Sequence, residues 1–148
     1  MRFPGSHKRV LIDTSVWIYH LEQHPVLAPV AGRVIESLED GKIRGVASEL
    51  TLLELTVGPL RLGRQDVADD YELLLDHFPN FELEPISRDV LLEAAALRAR
   101  HLLRTPDAIQ IATGTRCGAT LALTNDESWR NLPSIETAIL SELTIAGR

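Results

Sequence analysis

Apolar residues run along this chain in two alternating spacings: short unbroken stretches, and longer ones in which they recur at helical intervals. Val10 to Ile12 is an unbroken stretch closed by Asp13, as expected of a strand buried on both faces. From Thr14 to Leu21 the apolar residues Val16, Trp17, Tyr19 and Leu21 fall at helical spacing, which predicts a helix directly after that strand. Val26 to Leu38 continues as helix, with Val30, Val34, Ile35 and Leu38 on one face, until Asp40-Gly41 stops it. Gly45 to Ala47 predicts a second strand. Ser48 then serves as N-cap of a helix through Val57, ended by Gly58-Pro59. Gln65 to Phe78 is a further helix, with Val67, Tyr71, Leu74 and Leu75 turned inward and Pro79-Asn80 behind it. Phe81 to Glu84 alternates like a half-exposed strand, and Ser87 to Leu103 is strongly helical. Thr105-Pro106-Asp107 supplies an N-cap, a proline at the first helical position and a carboxylate in the first turn, ahead of the small apolar run Ala108 to Thr115. Thr120 to Leu123 returns to strand, and Ile135 to Ile139 reads as the last edge strand.

Short apolar strands separated by helices predict an α/β fold with a parallel sheet covered on both faces. Crossovers in such a sheet are right-handed, and ligands bind beyond the carboxyl ends of the strands. No repeat, low-complexity tract or linker divides the 148 residues, so a single domain spans 1–148, with residues 1–9 as a flexible leader. An apolar content of 45% is too high for disorder, and no stretch approaches the ~20 apolar residues of a membrane span. The N-terminus lacks the apolar core of a signal peptide, and Cys117 stands alone, so the expected compartment is the cytoplasm. Fifteen Lys and Arg against 21 Asp and Glu give a net charge of -6, which opposes nucleic-acid binding through long-range charge alone. A polyanion partner then needs a local basic patch or a bound divalent cation.

Most of the acids fall on solvated helix faces, but four do not. Asp13 ends the first strand, Glu54 lies inside the apolar helix, Asp107 opens the helix at Pro106, and Asp126 follows the strand ending at Leu123. Structural roles exist for three: Asp13 and Asp126 as N-caps, Asp107 as a partner of the helix dipole. Glu54 has no Lys or Arg three or four positions away, and burying an unpaired carboxylate costs several kcal/mol, on the order of that for buried ions generally. If the four meet, their repulsion demands a cation, and carboxylate oxygens select a hard one such as Mg²⁺ or Mn²⁺.

The blocks LIDTSVWI (Leu11 to Ile18), SELTLLELTVG (Ser48 to Gly58), LLRTPDAIQIAT (Leu102 to Thr113) and LTNDESW (Leu123 to Trp129) resemble the motif blocks of PIN domains, most closely the VapC-type toxin ribonucleases. The resemblance spans nearly the whole chain. It implies a three-layer α/β/α sandwich with a central parallel sheet and a Mg²⁺- or Mn²⁺-dependent endoribonuclease that leaves a 5′-phosphate and a 3′-hydroxyl. It implies Asp13, Glu54 and Asp107 as metal ligands, Asp126 as a fourth acid, and Thr14, Ser15, Thr124 and Asn125 as residues orienting ligands or water. A homodimer and an inhibitory antitoxin partner are implied as well.

Arg98, Arg100 and Arg104 precede Asp107 and are candidates to grip RNA phosphates, or cations offsetting a helix C-terminus. Arg61 and Arg64 are further phosphate candidates. Trp17 and Trp129 are either base-stacking or core residues. His20 and His24 have the spacing of helical zinc ligands, but Pro25 biases His24 out of the helix. No glycine-rich phosphate loop occurs, so a nucleotide cofactor is not expected. Two alternatives remain: a non-catalytic RNA- or protein-binding module of the same fold, and an Asp-based phosphoryl-transfer protein using Asp13 as nucleophile, for which the second acid of dehalogenase-type phosphatases is missing.

Overall fold

A computed structural model describes residues 2–145. Its central sheet has five parallel strands in the order β4-β3-β2-β5-β6, formed by Arg9–Ile12 (β2), Arg44–Ser48 (β3), Phe81–Glu84 (β4), Leu121–Thr124 (β5) and Glu136–Ile139 (β6). A separate pair joins Arg2–Phe3 (β1) to Thr144–Ile145 (β7). The helices are α1 (Thr14–Leu21), α2 (Ala28–Glu39), α3 (Leu50–Arg61), α4 (Gln65–His77), α5 (Arg88–Arg100) and α6 (Thr105–Arg116).

Strand alternation builds the layers. Val10 and Ile12 of β2 face one core with Val16, Trp17, Val34, Ile35, Leu55 and Leu75, so α1 to α4 cover that side. Leu11 faces the other core with Val90, Ala94, Leu97, Ala108, Ile111 and Ala112, so α5 and α6 cover the opposite side. The result is the three-layer α/β/α sandwich. Both faces being dry accounts for the unbroken apolar run of β2. A Cβ added to Gly114 would lie 3.0 Å from Leu11 Cβ, and this glycine lets α6 lie close on β2. From β2 the chain winds outward through β3 and β4, then crosses to β5 on the other side of β2. The strand order therefore reverses between β2 and β5, and a crevice opens at their carboxyl ends, where open α/β sheets take their ligands.

Several boundaries differ from the sequence expectation. The leader expected to be flexible is packed: β1 pairs with β7, Phe3 is wholly buried, and His7 Nδ1 lies 2.9 Å from Thr120 Oγ1. Helix α2 starts at Ala28 rather than Val26, because His24 Nδ1 accepts the N–H groups of Val26 and Leu27 ahead of it. Helix α3 runs past Gly58-Pro59 to Arg61, since a glycine before proline has no side chain to clash with the ring. Helix α5 ends at Arg100, where His101 turns extended and Arg98 Nε bonds the Leu103 carbonyl. Thr105 is the first residue of α6 rather than its N-cap, and its hydroxyl accepts from Arg98 Nη1. Trp17 is core, edge-on to Phe78 and Phe81, and Trp129 is fully buried. Among the described residues no helix is long and apolar enough to cross a membrane.

Candidate active site

Four elements deliver the acids. Asp13 follows β2, Glu54 lies on α3, Asp107 sits in the first turn of α6, and Asp126 follows β5. All four line one cleft of about 710 Å³ at the switch point, together with Thr14, Ser15, Asn125, Arg61 and Arg104. Asp13 stands at the N-cap position of α1 yet makes no capping bond. Its Oδ2 instead accepts from Ser15 Oγ at 2.8 Å and Thr124 Oγ1 at 2.7 Å, which fix its direction. Burial pushes its carboxyl up to about 6, two hydroxyl bonds oppose the rise, and the nearby Glu54 and Asp107 charges add to it.

Thr14 Oγ1 donates to Glu54 Oε1 at 2.9 Å. Asp107 is buried and meets Arg104 Nε at 3.1 Å. Asp126 does cap the short 3₁₀ turn Glu127–Trp129, through Oδ1 accepting from Ser128 N, while its Oδ2 lies 3.9 Å from Arg104 Nη2. Thr124 Oγ1 also accepts from Asp126 N, so one hydroxyl links two acids. Asn125 Oδ1 accepts from Ser141 N and ties the loop after β5 to the turn at Leu140–Glu142.

Of the candidate arginines, Arg104 stands in the cleft, Arg98 braces the α5–α6 turn, and Arg100 is exposed outside the lining. Arg61 lines the cleft, whereas Arg64 is bound to Asp66. Two residues escaped the sequence analysis: Thr51 and Gln110, both buried behind the acids. The available signal was a glutamine set between Ile109 and Ile111 in an apolar helix.

The donor set fits a hard divalent cation: carboxylates backed by hydroxyls, with no thiol or imidazole in the lining. Among the described residues no three His, Cys, Asp or Glu side chains are placed to hold one metal ion together. An open cleft agrees with Mg²⁺, which keeps several waters and commonly takes only one or two carboxylates.

A PIN-domain family model matches residues 10–135, and the chain belongs to that family. Among solved structures it is similar to a toxin–antitoxin complex from Klebsiella pneumoniae (TM-score 0.69, 21% identity, covering 88% of this chain and 97% of that one). It is also similar to VapBC2 from Rickettsia felis bound to a promoter DNA fragment (0.69, 15%, 88% and 98%) and to FitAcB from Neisseria gonorrhoeae (0.68, 19%, 90% and 99%). These are likenesses of fold. No curated protein matches the chain in sequence.

Proposed function

We propose that this chain is a divalent-metal-dependent endoribonuclease acting in the cytoplasm as the toxin of a toxin–antitoxin pair. The observation that carries this is the meeting of Asp13, Glu54, Asp107 and Asp126, from four separate elements, in one cleft at the switch point. Membership of the PIN family and the toxin–antitoxin names of the structural neighbours support it.

One or two of Asp13, Glu54 and Asp107 would hold Mg²⁺ or Mn²⁺ directly and the rest through water, with Asp126 beside them. When bound, the cation supplies charge to bring a phosphodiester to an acidic surface and to make water a nucleophile near neutral pH. The protein's own groups do the rest. Ser15 and Thr124 hold Asp13 in one orientation, Thr14 does so for Glu54, and Arg104 and Arg61 offer guanidinium groups to flanking phosphates. No lysine lines the cleft, which weighs against phosphoryl transfer through Asp13. Leu53, 62% exposed beside Glu54, and Leu62, 80% exposed, support a protein partner laid over this side, as an antitoxin would be. Exposed Leu91 and Leu92 on α5 offer a separate face for a second copy.

Calorimetric titration of Mn²⁺ into protein stripped of metal and partners tests the site without a known substrate. Saturable binding to the wild type, lost in Asp13→Asn, is expected, followed by Mn²⁺-dependent RNA cleavage that the variant lacks. No binding to the wild type would favour the non-catalytic binding module.

A further inference from the structure

Three of the acids arrive on elements far apart in sequence, and a buried hydrogen-bond chain behind them ties those elements together. Gln110, 1% exposed, lies on α6 one turn beyond Asp107. Its Oε1 accepts from Ser48 N at 3.0 Å, at the end of β3, and its Nε2 donates to Thr51 Oγ1 at 3.0 Å on α3. The Thr51 and Thr14 hydroxyl oxygens are 3.4 Å apart, and Thr14 Oγ1 donates to Glu54 Oε1 at 2.9 Å.

Counting hydrogens sets the direction. A carboxylate only accepts, so the single hydroxyl hydrogen of Thr14 goes to Glu54. The contact between the two hydroxyls, at 3.4 Å the longest and weakest link, then uses the hydrogen of Thr51, whose lone pairs stay open to Gln110. The amide of Gln110 cannot be turned round, because the Ser48 N–H requires the oxygen on its side. Every donor between Gln110 and Glu54 therefore points towards the cleft.

We propose that Gln110 and Thr51 are positioning residues: with Thr14 they form a one-way relay that fixes where Glu54 is presented, and on which the grip of the acid site on a divalent cation depends. This rests on the metal-site reading above. Substitution of groups that orient ligands behind a metal site costs about 10- to 100-fold in affinity.

The test titrates Mn²⁺ into the whole chain. Thr51→Val keeps the shape and cuts the relay; it is expected to weaken Mn²⁺ binding about tenfold, and Thr51→Ser, which keeps the hydroxyl, to stay within about twofold of wild type. Gln110→Met cuts the relay from the other end if the valine variant folds poorly. Ile111→Val, a neighbouring core change, controls for loss of packing and is expected to leave affinity unchanged. Wild-type affinity in Thr51→Val, or loss equal in Thr51→Val and Thr51→Ser, overturns the relay. The carboxyl ¹³C resonance of Glu54 reads the relay without metal: it is expected to move in Thr51→Val and not in Ile111→Val. A protein that binds no Mn²⁺ but shows that shift loses the metal reading and keeps the relay, while an unmoved resonance overturns the relay whether or not metal binds.

Discussion

Strand β2 begins at Arg9, whose Nη1 donates to the Cys117 carbonyl at 2.7 Å, and is followed by Asp13, whose carboxylate shares a cleft with three others. Around the amino end of the sheet, charged and polar side chains have partners. Arg44 reaches Glu82 at 4.0 Å, and the His7 ring sits between Thr120 Oγ1 and Glu136 Oε2, at 2.9 and 2.6 Å. At the carboxyl end four acids line a cleft with two arginines, and among the described residues only Arg104 makes ion pairs there. The strands, core and crossovers are common to both ends, so the fold requires neither pattern. The end at which acids outnumber bases is the one prepared for a charge brought from outside; there Asp13 is raised chiefly by its burial, with the neighbouring Glu54 and Asp107 charges adding less.

Asp13→Asn is the strongest way to break this contrast. Folded Asp13 holds its proton up to about pH 6, whereas the unfolded chain releases it near 3.8. Between these values the folded state binds more protons, so stability falls as pH rises and stays lower above about 6. The loss from this group is roughly 2–3 kcal/mol. Urea unfolding of metal-stripped protein at pH 4 and pH 7 is expected to show it, and Asp13→Asn, whose amide oxygen still accepts from Ser15 and Thr124, to lack it. At pH 7 the metal-free variant should then be the more stable protein. Identical pH dependence in both would mean that Asp13 is not held above its ordinary range by its burial in the cleft.

That gathering of acids is legible in the sequence only in part. Acids at strand ends and inside an apolar helix stand out against solvated helix faces, and the sheet follows from apolar runs that only a doubly covered strand needs. Distances between elements do not stand out. Thr14 and Glu54 are 40 residues apart, and Ser48 and Gln110 are 62 apart. A polar side chain that closes such a gap looks, in one dimension, like an isolated polar residue in a helix. The order of the leader is hidden for the same reason: Phe3 is buried on a strand that pairs with β7, at the other end of the chain. The three arginines before Asp107 were indistinguishable until α5 ended at Arg100 and sent only Arg104 into the cleft.

Arg104→Gln sharpens the contrast from the cationic side. Its side chain is 76% exposed and lies against both Asp126 and the buried Asp107, so its removal also leaves Asp107 without its ion pair. Its expected effect is on RNA binding by metal-loaded protein with cleavage blocked by Asp13→Glu: the slope of log affinity against log salt falls by about 1. Arg100→Gln, outside the lining, is expected to leave the slope unchanged. Equal slopes for the two would return Arg104 to a purely structural partner of its acids.

The smallest effect is expected at the matched end. Arg44 and Glu82 are both largely exposed and 4.0 Å apart, and pairs of that kind contribute about 0–1 kcal/mol. Arg44→Gln removes the same formal charge as Arg104→Gln and therefore separates place from net charge. If the acidic cleft responds only to groups within it, Arg44→Gln leaves Mn²⁺ affinity and the RNA salt slope at wild-type values. Measuring at about 0.15 M salt, where the screening length is about 8 Å, removes most of any long-range contribution, and repeating at about 0.01 M, where it is about 30 Å, restores it. A change in Mn²⁺ affinity that appears for Arg44→Gln only at low salt is the field of the whole molecule. A change that persists at 0.15 M, a salt level of about that in cells, would show the two ends to be coupled through the sheet, and the division between a matched scaffold and an unmatched site would fail.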